Sequence, residues 1–305
     1  MAYVRTVCGD IDPAQLGATY LHEHLIGASL QPGSDPDLTL DSEAAAIKEL
    51  RHFVSAGGRA MVEMSPQDYG RDVRALKRVS EASDVHIITV SGFIKGASLN
   101  PFVEGRTPQQ VADDLIRDVC DGVDGTGIRA GVLKAGSSKN KITPNEETAL
   151  KAAAIAYHET GAAISTHTEA GTMALEQVAL LKDAGVPAER ILIGHMDRLM
   201  DWEYHVAVAN TGVTLGYDQF AKEKYYPDSQ RIEFIVRLTQ AGFRDQIALS
   251  GDMARKSYLT SYGGGPGFTY ILWRVLPWLR EEGLTDDDID ALMVRTPARL
   301  LSIDR

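Results

Sequence analysis

Short apolar runs alternate with longer amphipathic stretches along most of the chain. Eight runs occur in order: ATYLHEHL (18–25), RAMVEMS (59–65), HIITVSGF (86–93), AGVLKAG (130–136), AAISTHTE (162–169), RILIGHMD (190–197), GVTLGYD (212–218) and QIALSGDM (246–253). Most are rich in Val, Ile, Leu or Ala without strict alternation, the pattern of parallel strands buried on both faces. Between them lie helical patterns such as DSEAAAIKELRHFVSAG, PQQVADDLIRDVCDGV and SQRIEFIVRLTQAG. Gly57, Gly161, Gly185 and Gly242 stand where helices should stop, a position that favours glycine. Eight strands alternating with helices predict an α/β fold, a (β/α)8 TIM barrel, as one domain over residues 1–305. A doubly wound sheet usually has fewer strands and a glycine-rich phosphate loop after the first. Here the first run ends in His-Glu-His instead. The first 16 residues precede that run and read as a short extension capping the barrel bottom. The tail 284–305 reads as two short closing helices, and Trp273 and Trp278 read as core.

Composition narrows the function. The chain has 305 residues, 44% of them hydrophobic, enough for a large core. The net charge of −11 argues against nucleic acid and against anionic membrane surfaces as partners. A small anionic substrate stays open, because a few local cations can dominate a pocket. Cys8 and Cys120 are far apart and do not suggest a disulfide framework. The segment MAYVRTVCGDIDPAQ lacks a secretory apolar region, and no run approaches a membrane span. The expected location is the cytoplasm.

Four of the eight histidines, His22, His24, His167 and His195, fall near the C-terminal ends of predicted strands. In a barrel those ends share one mouth, where active sites form. His22 and His24 are two apart on a strand, so both face one side and suit one cation. Asp252 ends the last run and adds a carboxylate, completing a site for Zn²⁺, Mn²⁺ or Co²⁺. Lys134 lies inside the apolar run AGVLKAG, where an unpaired ammonium is costly. Beside cations and out of water it loses its proton. A neutral amine can take up CO₂, and the resulting carbamate can bridge two metals. The remaining histidines read as solvated or packing.

The pieces LHEHL (21–25), GVLKAG (131–136), STHTEAG (165–171), IGHMDR (193–198) and SGDMAR (250–255) carry a family resemblance. In this order they resemble the phosphotriesterase-like branch of the amidohydrolase superfamily, over nearly the whole chain. The resemblance implies two divalent metal ions, with Zn²⁺ expected and Mn²⁺ or Co²⁺ possible. His22, His24 and Asp252 would hold the first, and His167 and His195 the second. Lys134, as N6-carboxylysine, and a hydroxide would bridge them. The hydroxide would be the nucleophile, with catalytic Asp252 orienting it and shuttling its proton. Related barrels often dimerise, so a homodimer is expected by analogy.

The loops after the last two runs suggest the substrate. They carry Lys222 and Lys224, then Arg255, Lys256, Tyr258 and Tyr262. Arg255 and Tyr258 are three apart and would share one side of a helical turn. Arg255 can fork onto phosphate oxygens, Lys224 can add a charge, and Tyr258 can donate a hydroxyl. The pattern is similar to the sugar-phosphate lactonases of that family, which implies Lys224, Arg255 and Tyr258 as the phosphate clamp. Lys222 and Lys256 are neighbours of it. The expected reaction is hydrolysis of a phosphorylated furanose (1,4-) lactone. The alternatives are an organophosphate triesterase or acyl-homoserine lactonase on the same metals, and a non-catalytic sugar-phosphate binder. The polar loop after the last run disfavours acyl lactones, and the complete ligand set disfavours the binder.

Overall fold

The computed structural model describes residues 2–30 and 33–304. An antiparallel hairpin opens the chain, β1 (Val4–Thr6) and β2 (Gly9–Ile11). Eight parallel strands follow: β3 (Ala18–Glu23), β4 (Gly58–Glu63), β5 (His86–Gly92), β6 (Val132–Ser137), β7 (Ile164–Thr168), β8 (Ile191–Ile193), β9 (Thr214–Tyr217) and β10 (Ile247–Leu249). They pair in unbroken chain order from β3 to β10. Each lies within one of the eight apolar runs or overlaps it almost entirely. Helices α1 (Glu43–Ser55), α2 (Val73–Ser83), α3 (Asn100–Val103), α4 (Pro108–Cys120), α5 (Pro144–Thr160), α6 (Ala174–Asp183), α7 (Trp202–Ala209) and α8 (Asp228–Leu238) fill the crossovers. The architecture is the (β/α)8 barrel.

Local rules explain the helix boundaries. Thr107 and Thr143 form capping boxes with Gln110 and Glu146, each followed by Pro at the start of α4 and α5. Gly161 stops α5 in the left-handed region at φ 71°.

Apolar residues form two layers. The larger lies between strands and helices, with Tyr20, Phe53, Leu76, Leu115, Leu150 and Ile235 among its members. The smaller fills the barrel itself: Leu21, Val62, Ile88, Val132 and Leu192 pack with Val4, Leu16, Leu300 and Leu301. The last four come from the two ends of the chain, so residues 4–16 do plug the barrel floor.

Leu21 faces this inner layer, yet the next residue, His22, also faces the axis. Regular alternation forbids that. The register between β3 and β4 shifts between Tyr20 and Glu23, a bulge that turns the strand.

The barrel closes between β10 and β3 through side chains. Ser250 Oγ donates to the His22 carbonyl at 2.8 Å and accepts from the His22 N–H at 3.0 Å. Glu23, fully buried, accepts from Gly251 N at 2.6 Å and Met253 N at 3.0 Å, and its Oε1 lies 3.0 Å from Ser250 Oγ. Burial pushes the Glu23 carboxyl up to about 8, despite those hydrogen bonds.

Two expectations are corrected. The tail is one helical run rather than two helices: α10 (Asp286–Asp290) passes through a π turn at Ala291–Arg295 into α11 (Thr296–Leu301). A second π turn, Ile271–Val275, precedes α9 (Leu276–Glu281). Each π turn ends two residues before a proline, Pro297 and Pro277. Proline lacks the N–H and crowds the carbonyl four residues back, which the wider turn relieves. The second turn also re-aims the helix face. It buries Ile271, Val275 and Leu276 and leaves Trp273 62% exposed, so Trp273 is not core. Trp278 is half-buried against the outer layer.

The Glu23→Ala variant leaves two buried main-chain N–H groups, of Gly251 and Met253, unpaired at the seam. We expect it to lose about 3 kcal/mol of stability, read as a lower denaturation midpoint in urea. An unchanged midpoint would mean that the seam needs no carboxylate.

Candidate metal centre

The C-terminal ends of the strands surround a cavity of about 150 Å³, lined by His22, His24, Lys134, His167, His195 and Asp252. All six residues expected from the sequence therefore meet at one place. His22 and His24 come from the end of β3, Lys134 from within β6 and His167 from β7. His195 lies just past β8 and Asp252 just past β10. Both sit in the left-handed region, at φ 60° and 45°. Such backbone costs about 1–3 kcal/mol per residue and gathers at functional sites.

His22, His24 and Asp252 form one candidate ligand set, their donor atoms all within 4.8 Å of one another. His24 Nε2 lies 3.2 Å from Asp252 Oδ1, and His24 Nδ1 meets Ser65 Oγ at 2.9 Å. His22 Nε2 is 3.8 Å from Asp252 Oδ1. Its Nδ1 is buried without a hydrogen-bond partner, 3.5 Å from Asp218 Oδ2.

The second pair carries a sharper signature. His195 Nδ1 lies 2.6 Å from Asp218 Oδ1, and His167 Nε2 lies 3.3 Å from Glu169 Oε2. Donation to those carboxylates places each ring proton on the outward nitrogen. The inward nitrogens, His167 Nδ1 and His195 Nε2, then face each other at 2.9 Å as two lone pairs. Burial and the neighbouring His195 pull His167 down to about 3, so a shared proton is disfavoured. Two opposed lone pairs need a Lewis acid between them. The donor set therefore fits a divalent cation here as well as at His22, His24 and Asp252.

Lys134 is 2% exposed, and among the described residues its Nζ finds only Met64 Sδ, at 3.6 Å. Burial lowers it to about 8, so a neutral amine is accessible near physiological pH.

Four contributors escaped the sequence reading. Asp218, just past β9, is buried and holds His195 by ring and by main chain, at 2.6 and 2.9 Å. Its place at a strand end, like that of Asp252, was the available signal. Glu169, bridged to Lys95 at 2.7 Å, orients His167. Its carboxyl is held well below the usual range, chiefly by His167 and then by Lys95. Gln219 donates to Asp218 Oδ1 at 2.8 Å and Asp252 Oδ2 at 2.9 Å. Arg198 borders the cavity beside Tyr69 and Ile94.

The loop residues divide. Lys224 Nζ meets Tyr258 Oη at 2.7 Å, as a clamp requires. Lys222 turns inward, its Nζ on Asp252 Oδ2 at 2.9 Å and on the Asp252 carbonyl at 2.6 Å. Burial alone would raise the Asp252 carboxyl, but Lys222 and His24 hold it well below the usual range. Arg255 does not reach toward Tyr258. Its Nη1 pairs with Asp35 at 2.6 Å and Asp37 at 3.3 Å, on the loop after β3. Lys256 pairs with Asp41 of the same loop at 3.0 Å.

A family model described as the phosphotriesterase family matches residues 2–301. The chain is 32% identical over 284 residues to the phosphotriesterase homology protein of Escherichia coli, spanning 93% of this chain and 97% of that protein. It is 34% identical over 279 residues to an N-acetyltaurine hydrolase of Dictyostelium discoideum, spanning 88% and 75%. Among solved structures, a lactonase from Listeria monocytogenes matches with a TM-score of 0.95 at 38% identity, covering 99% of this chain and all of that one. The Escherichia coli protein, solved with phosphate in its active site, matches with a TM-score of 0.91. The chain belongs to the phosphotriesterase family, a family of binuclear metal hydrolases. It is a metal-dependent hydrolase acting on ester or amide bonds. Among the described residues, no helix is long and apolar enough to cross a membrane.

If Asp218 fixes the ring of His195, Asp218→Asn should weaken metal retention by about 10- to 100-fold. Metal analysis after graded chelation would read this. Wild-type retention in the variant would remove Asp218 from the site.

Proposed function

We propose that this protein hydrolyses a phosphorylated furanose (1,4-) lactone to the open-chain acid phosphate. The observation that carries the reading is the contact of Lys224 with Tyr258 beside the metal cavity, with no carboxylate on Lys224. That pair offers charge and a hydroxyl to a phosphate whose sugar reaches the cavity. A lactonase relative and one solved with phosphate in its active site support the same reading.

In this reading His22, His24 and Asp252 hold one divalent cation, and His167 and His195 the other. Zn²⁺ is the proposed metal. Lys134, carboxylated by CO₂ with release of a proton to N6-carboxylysine, would add a carboxylate that both ligand sets could share. When bound, the cations supply Lewis acidity and make water a competent nucleophile at neutral pH. The chain's own groups do the rest. Gln219 and Lys222 fix Oδ2 of Asp252. Asp252, held ionised, accepts the proton of the attacking water at a carboxylate oxygen. Water adds to the lactone carbonyl carbon, the bond to the ring oxygen breaks, and Asp252 returns the proton to that oxygen. Lys224 and Tyr258 hold the phosphate, and Arg255 joins them by exchanging Asp35 for it. That binding positions the carbonyl over the cations.

The second reading follows from the N-acetyltaurine hydrolase relative. An amide carrying a sulfonate would offer the same tetrahedral oxyanion to the loop cations.

A panel of lactones with and without phosphate, together with N-acetyltaurine and a neutral phosphotriester, would test both readings with metal-loaded protein. Phosphorylated 1,4-lactones should lead in kcat/KM, and Lys224→Ala should raise their KM by about tenfold or more. Equal rates on unphosphorylated lactones would end the proposal. Lys134→Ala should abolish activity, and wild-type protein grown with isotopically labelled bicarbonate should show a carbamate resonance that the variant lacks.

A further inference from the structure

The barrel mouth is rich in cations, and several are already neutralised. Lys95 sits on Glu169 at 2.7 Å, Lys222 on Asp252 at 2.9 Å, Arg255 on Asp35 at 2.6 Å and Lys256 on Asp41 at 3.0 Å. Beside the cavity, Lys224 and Arg198 have no carboxylate partner among the described residues. Both rest on the same ring. The Arg198 guanidinium stacks 3.7 Å from the centroid of Tyr225, and Lys224 Nζ lies 4.9 Å from it.

Arg198 is built to present its donors. It closes a single turn, Met196–Arg198, that begins at His195, and its main-chain N–H is tied to the His195 carbonyl at 3.0 Å. Its position is thus set by the same segment that sets His195. Stacking holds the flat guanidinium by its face and leaves the N–H edge free for a planar fork onto an oxyanion. Unlike Arg255, Arg198 lines the cavity itself. An arriving phosphoryl group need displace nothing to reach it, whereas Arg255 must first leave Asp35 and Asp37.

Resting on the phosphorylated-substrate reading, we infer that Arg198 binds the substrate's phosphoryl group together with Lys224. Arg198 is the guanidinium that receives the anion first. Arg255 joins second, after it has left the latch it forms between the loops after β3 and β10. That latch includes Ser257, whose N and Oγ reach Asp37 at 2.8 and 2.7 Å.

The test compares Arg198→Met, Arg198→Lys and Arg255→Met in metal-loaded protein. Met keeps a side chain that can lie on Tyr225, so packing survives. Calorimetry with inorganic phosphate should show Arg198→Met weakening binding by about 10- to 100-fold, with Arg198→Lys recovering part of the loss. Arg255→Met should weaken it by less than Arg198→Met. On a phosphorylated lactone, Arg198→Met should raise KM while kcat changes little, and the unphosphorylated lactone should be indifferent. Phosphate binding within twofold of wild type in Arg198→Met overturns the inference, as does a larger loss in Arg255→Met. If wild-type protein turns over no phosphorylated lactone yet phosphate binding still depends on Arg198, the substrate reading fails and the role of Arg198 as an anion-binding residue stands.

Discussion

Everything at the mouth depends on how the barrel is closed. The seam between β3 and β10 is also where the first candidate metal set is assembled, with His22 and His24 on one side and Asp252 on the other. Ser250 and Glu23 join the two sides through buried side-chain hydrogen bonds. The Asp252 N–H adds a bond to the His22 carbonyl at 3.1 Å. A shift of the seam by a fraction of an ångström would move two imidazoles against their carboxylate. Covering an otherwise costly buried carboxyl with two main-chain donors and a neighbouring hydroxyl is how the fold keeps that geometry fixed.

The second set uses a different device. Asp218 and Glu169 do not enter the gap between His167 and His195; they decide which nitrogen of each ring carries the proton. Both choices leave a lone pair facing the cavity. Around these ligands Lys95, Lys222, Arg255 and Lys256 are each balanced against a carboxylate, in a chain whose net charge is −11. In so acidic a protein, the proposed binding of an anion would rest on the cations left unbalanced, not on overall charge.

Much of this was legible in the sequence, for a physical reason. Parallel barrel strands are buried on both faces, so their apolar runs stand out, and ligands at their ends interrupt those runs with histidine, lysine and aspartate. Asp218 had the same position, but its run supplies no other side chain to either expected ligand set. The partners of Arg255 could not be read, because Asp35 and Asp37 lie 220 and 218 positions away along the chain. Loop-to-loop pairing leaves no periodic trace. The π turns likewise depend on where Pro277 and Pro297 meet the packing of their helices. The exposure of Trp273 followed from that phase change and not from its own hydrophobicity.

The sealed floor has a consequence of its own. Val4 and Leu16 from one end of the chain, and Leu300 and Leu301 from the other, close the barrel below the inner layer with apolar side chains. The barrel is a cup and not a tube. Reactant, product and solvent share one doorway, and a cavity of about 150 Å³ leaves little room for two of them to pass. Traffic through the mouth is therefore single-file, and a product must leave by the way its precursor came.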